Sequence, residues 1–191
     1  MKMTMKKMLA VSMVAACGLM PVAALSSEGF ALTSPAFADN DILSSKHAGK
    51  GGPRNCDGEN ISPALEWSNA PEATQSFAVV VHDAVGGHGL GITHWVAYGI
   101  SPQASSLAEG VASSPAVDNA YIGGTNVIKQ PTYLGPCPDV GDVPHHYEFV
   151  LIATDLAPDA LAPGLTRDAL FEALAGHTLG ATSLVGRYAR H

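Results

Sequence analysis

The sequence predicts a mainly β domain with long ordered loops and one helix near its C-terminal end. Three strand-like runs, one capped helical stripe and the Pro/Gly/Asn/Asp-rich connections between them carry that prediction. Ser76–Val81 reads SFAVVV, a continuous apolar run with the length and branching of a strand buried on both faces. His94–Ile100, HWVAYGI, is a second strand, stopped by Ser101-Pro102, and Tyr147–Thr154, YEFVLIAT, is a third. The connections GKGGPRNCDGEN, EGVASSPAVDNAYIGGTN and QPTYLGPCPDVGDVP are long for a compact domain, which points to loops that are functional or ordered by a ligand or a disulfide.

The helix is legible from its ends. Thr166 is the N-cap, and Asp168 lies in the first turn, where the helix dipole favours negative charge. Leu165 and Leu170 occupy the two staple positions, Leu170, Phe171 and Leu174 make one apolar stripe, and Gly176 ends the helix.

At 191 residues and 47% apolar, the chain has enough material for one sizeable core. Ten Lys and Arg face 17 Asp and Glu, so no basic stripe is left for nucleic acid. The first residues, MKMTMKKMLAVSMVAACGLMPVAALSSEGF, read as a basic n-region, an apolar run too short for a comfortable span, and small residues at a cleavage site. We expect a signal peptide over 1–24 with cleavage near Ala24, a domain over 25–191, and a periplasmic or secreted product. Competing processing sites are a lipoprotein box at Cys17, Ala24-Leu25-Ser26, and the A-x-A pattern Ala36-Phe37-Ala38. Removing 1–24 takes three lysines and no acids, leaving seven basic against 17 acidic side chains, a formal −10. Two cysteines then remain, Cys56 and Cys137. Export permits a bridge between them, but spacing alone does not separate a bridge from two free thiols.

The chemistry concentrates in HDAVGGHGLGITHW, His82 to Trp95, and in the later His145-His146-Tyr147. Successive strand side chains point to opposite faces, so His82 and Asp83 part company. His94 shares a face with Val96 and Tyr98, and His145 shares one with Tyr147 while His146 points away. One sheet end therefore offers Asp83, His94, His145 and Tyr147 as a set, with His82, His88 and His146 outside it. Zinc is disfavoured, because His82, His88 and His94 recur at six-residue intervals and no H-x-x-x-H or C-x-x-C occurs. A hydrolase is disfavoured too. No G-x-S-x-G elbow appears, Cys137 lies between two prolines, and an Asp83–His94 base-and-orienter pair lacks an evident nucleophile. His47, His177 and His191 read as core or surface residues without a role.

CDGENISPALEW (Cys56–Trp67), SFAVVVHD followed by HWVAYGI, and GPCPDVGDVPHHYEF (Gly135–Phe149) together resemble the phosphatidylethanolamine-binding protein family, and more closely its bacterial Raf-kinase-inhibitor-like branch. The resemblance runs from about Phe30 to LVGRYAR at Leu184–Arg190. FALTSPAF at Phe30–Phe37 resembles the family's opening strand, which a cut after Ala38 would delete.

The resemblance implies a two-sheet antiparallel β-sandwich with a C-terminal helix and a small anion pocket at one end. Its D-P-D-A-P motif falls on Asp83–Gly87, its G-P-C-P segment on Gly135–Pro138, and its H-R-Y motif on His145-His146-Tyr147. Two departures stand out. The rim motif here is Asp-Ala-Val-Gly-Gly, which implies a looser rim, and His146 replaces a permanent cation, which implies weaker anion affinity.

The expected site is Asp83, His94, Gly135, Pro136, Cys137, His145 and Tyr147, with no metal, no cofactor and no catalysis. His94, His145 and Tyr147 would donate to phosphate oxygens, backbone N–H groups near Gly135 and Cys137 would add to the cradle, and Asp83 would orient His94 or accept from an amine. Binding would strengthen as pH falls through the histidine range. The implied ligand is phosphate or a phosphoethanolamine-like head group. The resemblance also allows a homodimer, and an interaction or inhibitor surface around the pocket as the alternative function.

Overall fold

A computed structural model describes residues 29–114 and 120–191. The expected signal peptide, its cut near Ala24 and the lipoprotein box at Cys17 lie outside the described residues. The strands are β1 (Ala31–Thr33), β2 (Asp41–Ile42), β3 (Lys50–Gly51), β4 (Cys56–Asp57), β5 (Leu65–Ser68), β6 (Ser76–Asp83), β7 (Ile92–Ile100), β8 (Ser106–Leu107), β9 (Ile122–Gly123), β10 (His145–Thr154) and β11 (Thr178–Tyr188). Six form one sheet in the order β2-β11-β10-β6-β7-β9, three form a second in the order β1-β5-β8, and β3 and β4 pair as a hairpin. All pairings between these strands are antiparallel except β2 with β11, which is parallel and joins Asp41–Ile42 to Gly186–Arg187.

The two faces of the large sheet bury different things. Phe77, Val79 and Val81 of β6, Trp95 and Ala97 of β7, and Tyr147, Phe149 and Leu151 of β10 pack with Leu32, Leu65, Trp67 and Leu107 of the small sheet. This is the sandwich core. Each of its large side chains contributes on the order of 1.5–3 kcal/mol by leaving water. Leu32 and Phe37 belong to it, and Phe37 lies 5.4 Å from the Phe149 ring, so a chain starting at Asp39 would lose both.

On the opposite face, Ala78, Val80, Val96, Tyr98 and Ile152 pack against Leu170 and Leu174 of the helix Arg167–Leu174. The Thr166 hydroxyl caps that helix by accepting from the Ala169 N–H at 3.2 Å, and Leu165 packs beside Leu170 as the staple requires. The helix is not the last element. It is followed by β11, eleven residues long, which lies between β10 and β2.

Cys56 and Cys137 form a disulfide with their Cα atoms 5.8 Å apart. It ties the β3–β4 hairpin to the Gly135–Pro138 segment, so two of the three long loops are fastened together at one end of the sandwich. That end holds the site.

Candidate functional site

Asp83, His94, His145 and Tyr147 line one cavity of about 90 Å³. Strand register brings three of them together. Asp83 ends β6 directly opposite Tyr147 of β10, and His145 begins β10 two residues earlier on the same face.

His94 arrives by a different route from the one alternation implies. Val81 pairs with Trp95 and His82 with Thr93, which leaves His94 as an extra residue in a β-bulge. Val96 and Tyr98 face the helix, whereas His94 meets Tyr147 edge-on with ring centroids 5.0 Å apart. The expected sharing of a face with Val96 and Tyr98 is therefore corrected: the bulge, not alternation, aims His94 into the pocket.

Asp83 serves His145 rather than His94, a second correction. Its Oδ2 accepts from His145 Nδ1 at 2.7 Å, while Oδ1 accepts the backbone N–H groups of Val85 and Gly86 at 3.1 and 3.0 Å. Those two bonds shape the rim, which runs through left-handed backbone at Gly87 and His88. The glycine of the Asp-Ala-Val-Gly-Gly variant supplies the positive φ (61°) there without a side-chain penalty.

His94 is 4% exposed, and its Nδ1 lies 2.6 Å from the Leu134 carbonyl oxygen. A carbonyl only accepts, so Nδ1 carries the ring proton and Nε2 presents its lone pair. That Nε2 is buried and has no partner among the described residues. Burial lowers the His94 pKa to about 4, against opposing contributions from the Leu134 bond and Asp83. The ring is neutral near pH 7, so the expectation that His94 donates to an anion, and charges in the ordinary histidine range, is corrected as well. Tyr147 is buried, and burial followed by the nearby Asp83 raises its pKa, so its phenol keeps its proton.

Sequence reading missed the cation. Arg54 of the β3–β4 hairpin lines the cavity, bonds the Cys137 carbonyl at 3.3 Å and pairs with Asp139 at 3.2 Å. Asp142 stands across from His145, its Oδ2 3.6 Å from Nε2. His88, set outside the site by alternation, lies on the rim, and Val85, Gly86, Ile92 and Pro138 complete the lining. Among these residues only adjacency to the Cys56 motif marked Arg54 in advance.

Other expected members fall outside. The Gly135 N–H donates to Asn60 Oδ1 at 2.8 Å, and a Cβ at Gly135 would come within 2.5 Å of the Ala48–Gly49 backbone. Gly135 is a packing residue whose donor is already used. The Pro136 carbonyl accepts from the Gly49 N–H at 2.8 Å, and Pro136 lies off the cavity lining. Of that trio, only Cys137 reaches the pocket, with its sulfur held in the disulfide. His146 is exposed on the outer side of β10 opposite Arg187, away from the cavity. His82 faces the helix, its Nε2 2.8 Å from an Arg167 nitrogen. His47 is buried in the core with Nδ1 on the Ile61 carbonyl, and His177 pairs with Asp155 at the surface.

A larger groove of about 720 Å³ adjoins the pocket and shares Arg54, Ile92, His94 and Cys137 with it.

A two-sheet β domain with a small pocket of carboxylates, imidazoles, a phenol and one guanidinium at its end defines a binding-protein architecture. Residues 33–189 match the family described as Phosphatidylethanolamine-binding protein, and the chain belongs to that family. It is 35% identical over 159 residues to a UPF0098 protein of Methanothermobacter thermautotrophicus, covering 83% of this chain and 98% of that one. It is 34% identical over 165 residues to the Mycobacterium tuberculosis protein named "Putative lipoprotein LppC", covering 85% and 74%. Among solved structures it superposes on Escherichia coli YbcL, described as a member of the mammalian PEBP family, with TM-score 0.77 and 26% identity, covering 86% of this chain and all of that one.

Proposed function

We propose that this protein captures a small anion, phosphate or a phosphoethanolamine-like head group, in the Asp83–His94–His145–Tyr147 pocket and does not turn it over. The convergence of these four side chains with Arg54 on a single small cavity carries the reading. Arg54 supplies a charge-assisted donor and Tyr147 a neutral one. Asp139 and Asp142 give an ammonium group somewhere to bind, which suits a zwitterionic head group. Charge-assisted bonds contribute about 1.5–3 kcal/mol each, so a few of them yield roughly millimolar to micromolar affinity once association costs are met. A cavity of this size suits a compact oxyanion rather than a drug-sized ligand. Export accords with the leader-like first residues, with the Cys56–Cys137 bridge, and with a relative whose name carries the word lipoprotein.

Titration of inorganic phosphate and of phosphoethanolamine into protein with ¹⁵N-labelled histidine tests the reading. Resonances of the His94 and His145 rings should move, and silence at both would contradict it.

A second reading, an interaction surface around the pocket, draws on the exposed apolar residues at or beside the rim: Val85, Leu90, Val140 and Val143. If Asp83→Ala or His145→Ala abolishes anion binding and spares a protein partner, this second reading is favoured.

A further inference from the structure

The pocket offers a ligand an unusual balance of groups. Among the described residues, its lining contains three carboxylates, from Asp83, Asp139 and Asp142, against one guanidinium, from Arg54. Arg54 is already paired with Asp139. The Asp83 oxygens are already filled by His145, Val85 and Gly86. Among the described residues, His94 Nε2 is the one buried polar atom of this lining that has no partner, and the Leu134 carbonyl on the far side of the ring makes it an acceptor. The depressed basicity of the buried ring agrees with that assignment.

A fully ionised oxyanion is badly matched to such a wall. Its oxygens carry lone pairs and no hydrogen, so an oxygen placed at His94 Nε2 meets another lone pair, and the carboxylates nearby add repulsion. An oxyanion that keeps a proton places a P–O–H there and turns the repulsion into a hydrogen bond. Selection by a single hydrogen is effective because a buried site built to bond it is left with an unpaired group when the hydrogen is missing.

We propose that the pocket selects for a proton on the oxyanion: it takes hydrogen phosphate or a singly ionised phosphate monoester, and it rejects sulfate and phosphate diesters. His94 is the residue that reads the proton. Its Nε2 accepts from the protonated oxygen, while Arg54 and Tyr147 bond the charged ones. The inference rests on the anion-capture reading above and narrows it. A diacyl phospholipid head group is a diester with no proton on phosphorus oxygen, so free phosphate and monoester head groups fit this pocket better than intact lipid.

The test uses the full-length chain and three probes: inorganic phosphate, sulfate and dimethyl phosphate, each titrated near pH 7. Every inorganic phosphate ion there carries at least one proton, and sulfate and dimethyl phosphate carry none. Sulfate matches phosphate in size and in the charge of its dianion. Dimethyl phosphate matches the charge of the monoanion. Phosphate should bind about tenfold or more tighter than either, with the His94 Nε2 resonance moving for phosphate alone. His94→Asn keeps a donor for the Leu134 carbonyl and removes the ring acceptor, and it should shrink the phosphate-to-sulfate ratio toward one. Should that variant fail to fold, the wild-type ratio and the Nε2 response decide alone. Equal affinity for phosphate and sulfate overturns the selection while leaving anion capture standing. No binding of any of the three overturns both.

Discussion

Asp83 and His145, 62 residues apart in the chain, share a 2.7 Å hydrogen bond at the pocket wall, and it fixes which ring nitrogen of His145 carries the proton. With Nδ1–H given to the carboxylate, Nε2 is turned toward the cavity and Asp142. Asp83→Asn should reverse this. The amide oxygen can keep the Val85 and Gly86 N–H bonds, but the amide nitrogen then faces His145 and requires a lone pair at Nδ1. The ring should move its proton to Nε2, visible in ¹⁵N–¹H correlation spectra of the imidazole. Stability should fall by about 1–3 kcal/mol, the cost of losing a bond to a charged buried acceptor.

His94 should make the protein acid-sensitive. An unfolded histidine titrates near 6.5, whereas burial holds native His94 down to about 4. Between those values the unfolded chain takes up a proton that the native state refuses, so the stability due to His94 is complete above 6.5 and is lost as pH falls through about 4. The gap corresponds to about 3 kcal/mol. Urea unfolding of wild type and His94→Asn from pH 7 to pH 4 measures it. Wild type should lose that much more than the variant over the interval, and parallel curves would contradict the assignment.

The disulfide closes a loop of 81 residues, for which the chain-entropy model gives about 4.5 kcal/mol. Cys56→Ala with Cys137→Ala should lower unfolding stability by about that amount. It should also weaken anion binding, because the bridge tethers the hairpin that carries Arg54 to the pocket wall. Denaturant unfolding and a phosphate titration of the double variant check the two effects separately.

Arg54 and His146 separate two accounts of where the positive charge lies. Arg54→Ala should reduce phosphate affinity about tenfold, the loss of one charge-assisted contact. His146→Arg restores the cation the family motif carries, yet its side chain stands outside the cavity, so affinity should change by about twofold at most. Calorimetric titration of both variants distinguishes them.

The sequence carried the three central strands well because each is rich in β-branched and aromatic residues, buried on both sides through most of β6 and β7 and through the second half of β10, and it carried the helix because cap, staple and stripe coincide. Strand β11 was not legible. TLGATSLVGRY mixes small and polar residues and lies half exposed, so it shows neither a continuous apolar run nor strict alternation. The four central side chains grouped in the sequence line one cavity, yet His94 reaches it by a route that alternation does not give. A bulge adds one residue to a ladder, and nothing in HWVAYGI marks where that residue goes. Arg54 escaped for a related reason. It sits in a Gly/Pro/Asn-rich hairpin whose position depends on a disulfide, and a disulfide partner is a fact of three-dimensional proximity. Gly135 was expected to offer its N–H to a ligand, and Pro136 to line the site, because the resemblance places the G-P-C-P segment there, whereas the Gly135 N–H is taken by Asn60 and the Pro136 carbonyl by Gly49.

The central claim, that Asp83, His94, His145 and Tyr147 with Arg54 form one anion site, is tested most directly by crystals grown without phosphate or sulfate and then soaked in inorganic phosphate. Density for the ion should appear between the His94 Nε2 atom, the Tyr147 hydroxyl and the Arg54 guanidinium. A pocket that stays without bound phosphate, or phosphate bound only elsewhere on the surface, would contradict the account.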